Sequence, residues 1–304
     1  MALSKYLLVV GLIINSNLFS QNSLINFLET SENSKIGALG GNNVSLNEKN
    51  NYFLSNPAFT YKSNKVVSIN YLNYISDINS SSILFTDSSS FLGNFGIGVK
   101  YFSHGKFKFY DQSGNFNGNF YPKELLLSFS KSLKLNNFIV GSNLNYFYSK
   151  LFEEKKTGIL IDAGAIYSPF TNNKINFGLV IKNFGLIFYE EDIIPFNINL
   201  GSTIKPEYMP LRFSVTYRYY VKSIENNNIS IGLEGILSKF MSIQLGYNHK
   251  INNNMKLPNS TKINGISYGI ELLLSRFIVN YSRIVINSIS STNAISLSYN
   301  LKRL

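Results

Sequence analysis

The sequence predicts an all-β protein, a fourteen-stranded antiparallel transmembrane β-barrel with an N-terminal segment folded into its lumen as a hatch. Three observations carry that expectation. The chain is poor in charge, apolar and polar residues alternate with period two along most of it, and the connections between alternating segments sort into a short set and a long set.

Charged residues make up 15% of the 304 positions, against about 25% in a soluble domain. Hydrophobic residues make up 44%, yet mean hydropathy is only +0.01. A barrel produces both values, because lipid-facing and lumen-facing residues alternate and cancel. Twenty-four Phe and 20 Tyr with no Trp suit strands and interfacial girdles. The absence of cysteine excludes a lipid-anchored N-terminus, disulfides, thiolate metal sites and a cysteine nucleophile. A net charge of +11 invites a nucleic-acid reading, but the basic residues are scattered and form no basic helix or aromatic–basic module. Contact with anionic lipid headgroups and a compositional bias toward Lys, Asn, Ile and Tyr account for it better.

Residues 1–20 read as an export signal, with Lys5 as its positive region and Tyr6 to Ile14 as an apolar core too short to span a bilayer. Cleavage is expected near Ser20–Gln21, although Leu18 sits where a small residue is preferred. No other stretch approaches the roughly 20 apolar residues of a membrane helix. Residues 21–65 are expected to form the hatch. They carry Gly40, Gly41, Asn42 and Asn43, whose glycines suit tight turns, and Asn56, Pro57 and Ala58, which fix another turn. A periplasmic tail is the alternative for this segment.

The barrel is assigned to 66–304. In one segment Phe95, Ile97, Val99 and Tyr101 face one way and Asn94, Gly96, Gly98 and Lys100 the other; in another, Phe213, Val215, Tyr217 and Tyr219 oppose Arg212, Ser214, Thr216 and Arg218. Fourteen such segments begin near Val66, Ser80, Asn94, Lys123, Phe138, Gly158, Ile175, Phe196, Leu211, Ile229, Met241, Gly265, Phe277 and Ala294. With a periplasmic N-terminus, the even connections are short: 133–137, 168–174, 206–210, 237–240 and 275–276. The odd ones include the long stretches 102–122, 149–157, 184–195 and 250–264. Short inner turns and long outer loops are the barrel asymmetry. A soluble sandwich would need shorter strands and more core than these polar, Gly-rich faces supply.

Signals for chemistry are weak. His104 and His249 fall at predicted outer strand ends, and Ser103 and Asp111 near His104 lack the spacing of a catalytic set. The run Glu190-Glu191-Asp192 lacks a calcium-loop pattern, and Gly93, Gly96 and Gly98 sit within a strand and open no helix. No catalytic residue, metal or cofactor is therefore assigned, and the chain is not expected to be an enzyme. Lys100, Asp162, Lys182, Arg212, Arg218, Glu234 and Glu271 fall on the inferred inner faces, where they either brace the wall against a plug or line a solute path. The outer loops gather Phe107, Phe109, Tyr110, Phe116 and Phe120 in one and Ile187, Phe188 and Tyr189 in another. Such aromatic density marks contact with a protein or lipopolysaccharide, or loops folding over one another.

The run Gly37-Ala38-Leu39-Gly40-Gly41-Asn42-Asn43-Val44-Ser45-Leu46, then Ser55-Asn56-Pro57-Ala58, resembles the PorQ family of the type IX secretion system of Bacteroidetes. Ile69 to Asn79 is similar to that family's first hairpin and Pro210 to Ser214 to its middle region. The Asn-Pro-Ala triplet is also similar to the hatch of the wider FadL-type barrels, PorV among them. The resemblance implies a FadL-type barrel in the outer membrane, working in a complex that attaches cargo to lipopolysaccharide. It implies PorZ as the anchored partner and PorU with PorV as the attachment complex. The ending Lys302-Arg303-Leu304 departs from the aromatic final residue of such barrels. The competing functional reading is a FadL-like transporter of hydrophobic compounds.

Overall fold

Period-two alternation is realised as a closed wall. The structure, a computed structural model, describes residues 27–46, 48, 50–63, 65–170, 174–188, 194–221, 227–254 and 264–301. In chain order it holds α1 (Ser34–Ala38), a 3-10 helix (Pro57–Tyr61), β1 (Val66–Asn73), β2 (Asn79–Ser89), β3 (Gly93–Ser103), β4 (Phe107–Tyr110) and β5 (Phe116–Phe120). There follow β6 (Lys123–Leu135), β7 (Phe138–Leu151), β8 (Glu154–Tyr167), β9 (Ile175–Phe188), β10 (Asn197–Ile204) and β11 (Leu211–Tyr220). The chain continues with β12 (Asn228–Ile236), β13 (Met241–Asn248), α2 (His249–Asn254), β14 (Ile266–Leu274), β15 (Phe277–Val285) and β16 (Ser291–Asn300). Fourteen of the strands form one closed barrel; β3 pairs β6, and β16 returns to β1 from Val66↔Asn300 to Asn73↔Asn293. The strands β4 and β5 pair only with each other, outside the wall. Among the described residues no helix is long and apolar enough to cross a membrane. The expected signal at 1–20 and the ending Lys302-Arg303-Leu304 lie outside the described residues.

The two faces separate as the alternation requires. On β3, Ile97, Val99 and Tyr101 are exposed while Gly96, Gly98 and Lys100 are buried. On β11, Phe213, Val215 and Tyr217 point out, and Ser214, Thr216 and Arg218 point in. A one-residue slip would invert every such pair.

Two expected loops are corrected. The stretch 149–157 is not a long loop: β7 and β8 stay paired as far as Leu151↔Glu154, leaving a turn at Phe152-Glu153 with φ 57° at Phe152. Side-chain alternation fades there, but backbone N–H and C=O groups still seek ladder partners, so pairing outlasts the pattern. Likewise 184–195 is not loop from its start, because β9 runs through Phe188. A bulge hides that continuity. Pairing passes from Ala163↔Ile181 to Ile161↔Phe184, so Lys182 and Asn183 together oppose Asp162, with Asn183 at φ 61°. The extra residue reverses the strand's phase, and Phe184 and Leu186 emerge 65% and 70% exposed on the outer face. The expected loop 102–122 contains the hairpin β4–β5.

Residues 27–46, 48 and 50–63 occupy the lumen, and local chemistry explains their turns. Asn33 caps α1 by accepting from the Ile36 N–H. The helix ends with the Gly41 N–H on the Ile36 carbonyl and the Gly40 N–H on the Gly37 carbonyl, at φ 91° and 79° for Gly40 and Gly41. That is a Schellman ending, which glycine makes without steric cost. Asn56 caps the 3-10 helix through the Ala58 N–H, with Pro57 in the first turn. Wall glycines admit the segment: a Cβ on Gly246 would stand 2.3 Å from the Gly40 nitrogen, and one on Gly178 would stand 2.2 Å from the Val44 carbonyl oxygen.

Candidate functional site: the lumen and the long-loop rim

Toward the short-turn rim, the hatch meets β11, β12 and β14 through charge. The Lys35 ammonium is fully buried and lies 2.8 Å from Glu48, 2.8 Å from Glu234 and 2.9 Å from Glu271. Arg212 also pairs with Glu48 and Glu234, and Ser242 donates to Glu234 at 2.9 Å. Burial opposes the charged forms, yet the surrounding carboxylates hold the Lys35 ammonium well above its ordinary range. Glu48 is raised by burial but lowered further by Lys35 and Arg212, ending at about 2. A cavity of about 370 Å³ opens beside this cluster, lined by Glu48, Arg212, Glu271 and Arg276 together with Phe240 and Leu273.

Toward the long-loop rim the contact is mainly apolar. Phe27 and Leu28 pack with Phe102, Leu126, Phe147 and Leu160, backed by Leu54, Ile78, Ile187 and Ile194. Just beneath, Glu29 pairs with Arg218 at 2.8 Å and accepts from the amides of Asn183 and Asn197 at 2.6 and 2.8 Å. Burial raises its pKa, but Arg218 and Lys182 outweigh that and leave it lowered. Lys100 reaches Glu32 at 3.3 Å and the Thr30 carbonyl at 2.6 Å. Asp162 accepts from Asn145 at 2.8 Å and from the Asn183 N–H at the bulge, also 2.8 Å. All seven inner-face charges named from the sequence thus face the hatch or its flanks.

The hatch residues are equally engaged. Gly40 O accepts from Ser230 and Asn248, Asn42 donates to Asn199, Asn43 accepts from the Ser45 and Leu46 N–H groups, and Asn56 donates to the Val44 carbonyl. Ala58 joins an apolar cluster with Tyr52, Phe59, Ile139 and Ile166.

At the rim, Phe107 stacks on Phe120 at 5.4 Å and Tyr110 meets Phe116 at 5.9 Å across β4–β5. Phe152, at the β7–β8 turn, supports the hairpin through Phe109 and Phe120 at 5.0 and 4.9 Å. Phe107, Tyr110 and Phe116 remain exposed. Ile187 is corrected: it packs inward on the Phe27–Phe147 cluster rather than facing outward in a loop, because strand β9 continues past the bulge. Phe188 ends that strand facing outward, and Tyr189 with Glu190-Glu191-Asp192 lies outside the described residues. His104 forms no set with Ser103 and Asp111; it pairs with Glu124 at 2.9 Å, whereas Asp111 binds the N–H groups of Ser113 and Asn115 in its own turn.

Sequence reasoning missed the hatch half of the ionic contacts, namely Lys35, Glu29, Glu32 and Glu48, and the support by Phe152. A signal existed. Among the seven wall charges cations outnumber anions, and buried charges need partners, which places complementary acids in the hatch.

The fold and lumen define a closed fourteen-stranded barrel with a lumenal N-terminal hatch. No protein-family model and no curated sequence matches the chain. Solved structures match it in fold. The Pseudomonas putida toluene transporter TodX superposes with a TM-score of 0.54 at 9% identity, covering 86% of this chain and 95% of that one. The monoaromatic hydrocarbon channel CymD gives 0.56 at 10% identity, covering 91% and 99%. A Pseudomonas aeruginosa FadL homologue gives 0.49 at 10%, covering 82% and 93%. At these identities the likeness is one of fold.

Proposed function

We propose that this chain is an outer-membrane barrel of FadL type, closed by its hatch, that serves as an anchor for the type IX secretion machinery. The observation that carries this reading is the ionic seam of Lys35, Glu48, Arg212, Glu234 and Glu271, which ties the hatch into the lumen. A lumen so filled suits a fixed platform better than a path. The exposed aromatics of β4–β5 then form the contact for a surface partner. By the sequence resemblance that partner is PorZ-like, joined to a PorU/PorV attachment complex beside lipopolysaccharide.

The second reading is passage of small hydrophobic compounds, and the fold comparisons favour it over the secretion reading. TodX is a toluene transporter and CymD a monoaromatic hydrocarbon channel. In this chain, the cluster around Phe27, Phe102, Phe147 and Leu160 is the apolar ground at the long-loop mouth for such a ligand. One experiment separates the two. Cells carrying the chain, and cells carrying a variant without 105–121, are assayed for capture of a purified PorZ-like protein and for uptake of labelled toluene. Capture that depends on 105–121, with no uptake above the barrel-free strain, supports the anchor. Uptake without capture overturns it in favour of transport.

A further inference from the structure

The outer face of the wall carries an arrangement that the anchor role does not by itself require. Lys123 on β6 pairs directly with Lys150 on β7, and Lys150 pairs directly with Lys155 on β8. All three occupy outward-facing register positions at the long-loop end of their strands. At a strand spacing of about 4.8 Å, the row spans roughly 10 Å. Like charges directly opposite across a ladder destabilise it, and among the described residues no carboxylate forms an ion pair with any of the three. Toward the barrel centre the same face turns apolar at once. The row Leu125–Tyr148–Thr157 comes next, then Leu127–Tyr146–Ile159 and Phe129–Leu144–Ile161. Leu127, Tyr146, Ile159 and Leu144 are all exposed there.

A row of ammonium groups seated on the edge of an exposed apolar and tyrosine belt has two parts to offer one ligand. The belt takes acyl chains and the row takes phosphates. We propose that Lys123, Lys150 and Lys155 form a binding site for a phosphorylated lipid headgroup, held at the long-loop edge of the bilayer with its acyl chains along the β6–β8 face. The site rests on the outer-membrane placement proposed above. It offsets the cross-strand repulsion and fixes the depth and tilt of the wall beneath the aromatic hairpin.

The test uses the full chain in nanodiscs of phosphatidylethanolamine, titrated with bisphosphorylated lipid A and read by native mass spectrometry. The triple variant K123Q/K150Q/K155Q should weaken lipid A retention roughly 100-fold, about tenfold for each 1.4 kcal/mol at ~1 kcal/mol per lysine. K131Q/K134Q/K239Q, at the other rim, should leave it unchanged. Equal retention by both variants overturns the site. So does full competition by inorganic phosphate, which would make it a plain anion site. Fractionation of both variants with the outer membrane keeps this outcome separate from the anchor reading: absence of the parent chain from that fraction refutes the membrane placement itself.

Discussion

The hatch is held at two seams made of opposite materials. Toward the short turns it is held by charge, with one buried ammonium among three carboxylates and Arg212 bridging two of them. Toward the long loops it is held mainly by Phe27 and Leu28 against Phe102, Leu126, Phe147 and Leu160, with Glu29–Arg218 and Lys100–Glu32 beneath. On the far side of the short-turn end, Tyr52, Ala58 and Phe59 add apolar packing on Ile139 and Ile166. The ionic seam is directional and strongly coupled, because removing one partner leaves the others largely buried without their counter-charge. The apolar seam is graded, because each lost methylene costs its own area and cavity. A hatch held only by grease could settle in several registers. The charges give it one, together with the hydrogen bonds of Asn42 to Asn199 and of Ser230 and Asn248 to the Gly40 carbonyl.

The largest break comes from Lys35→Ala. Glu48, Glu234 and Glu271 would then face one another with Arg212 as the remaining neighbouring cation, a loss of about 3–5 kcal/mol. Limited proteolysis of the membrane-embedded barrel should show 27–63 cleaved far faster while the wall stays paired. Adding E234Q and E271Q should restore much of the protection, since the uncompensated charge is then gone. A hatch as protected in Lys35→Ala as in the parent refutes the ionic seam.

Leu160→Ala sharpens the other side. Leu160 is fully buried in the apolar seam, and truncation there costs about 3 kcal/mol. Denaturant melts in detergent should register the loss as a lower midpoint. Raising the salt concentration should leave the difference between variant and parent unchanged. A salt-dependent difference would mean that the two seams are coupled.

Most of the wall was legible because burial on one face forces period two into the sequence. Segments expected from Val66, Lys123, Phe138, Ile175, Leu211, Met241 and Phe277 begin at those residues. The strand ends toward the long loops were not. Leu151↔Glu154 pairs by backbone alone, and the single inserted residue at Lys182-Asn183 shifts the phase just where Phe184 and Leu186 look like a loop. The hatch turns could be read from Gly40, Gly41, Asn56 and Pro57, since turn chemistry is local. The ionic seam could be read only by half. Arg212, Glu234 and Glu271 sit on alternating strands, whereas Lys35 and Glu48 lie in a segment without period, more than 150 residues away in sequence.

Acid acts on the carboxylates and spares the apolar packing, at Glu48 in the short-turn cluster and at Glu29 beside Arg218 beneath the long loops. Glu48 ionises at about 2 in the folded chain, against an ordinary 4.5. A carboxylate with a depressed folded pKa adds stability that is complete above its unfolded value and is lost as pH falls toward the folded one. Lys35 is held above 10.5, so its contribution stays complete through neutral pH and fails only in strong alkali. Hatch protection should therefore be flat between about pH 5 and 10 and decline from about 4.5 toward 2. Leu28, Phe147 and Leu160 carry no proton, so the deficit of Leu160→Ala should be the same at pH 7 and pH 3. If protection falls instead between pH 8 and 6, a group other than Glu48 governs the seam. In Glu48→Gln the acid decline should shrink, and the plateau should drop to meet it.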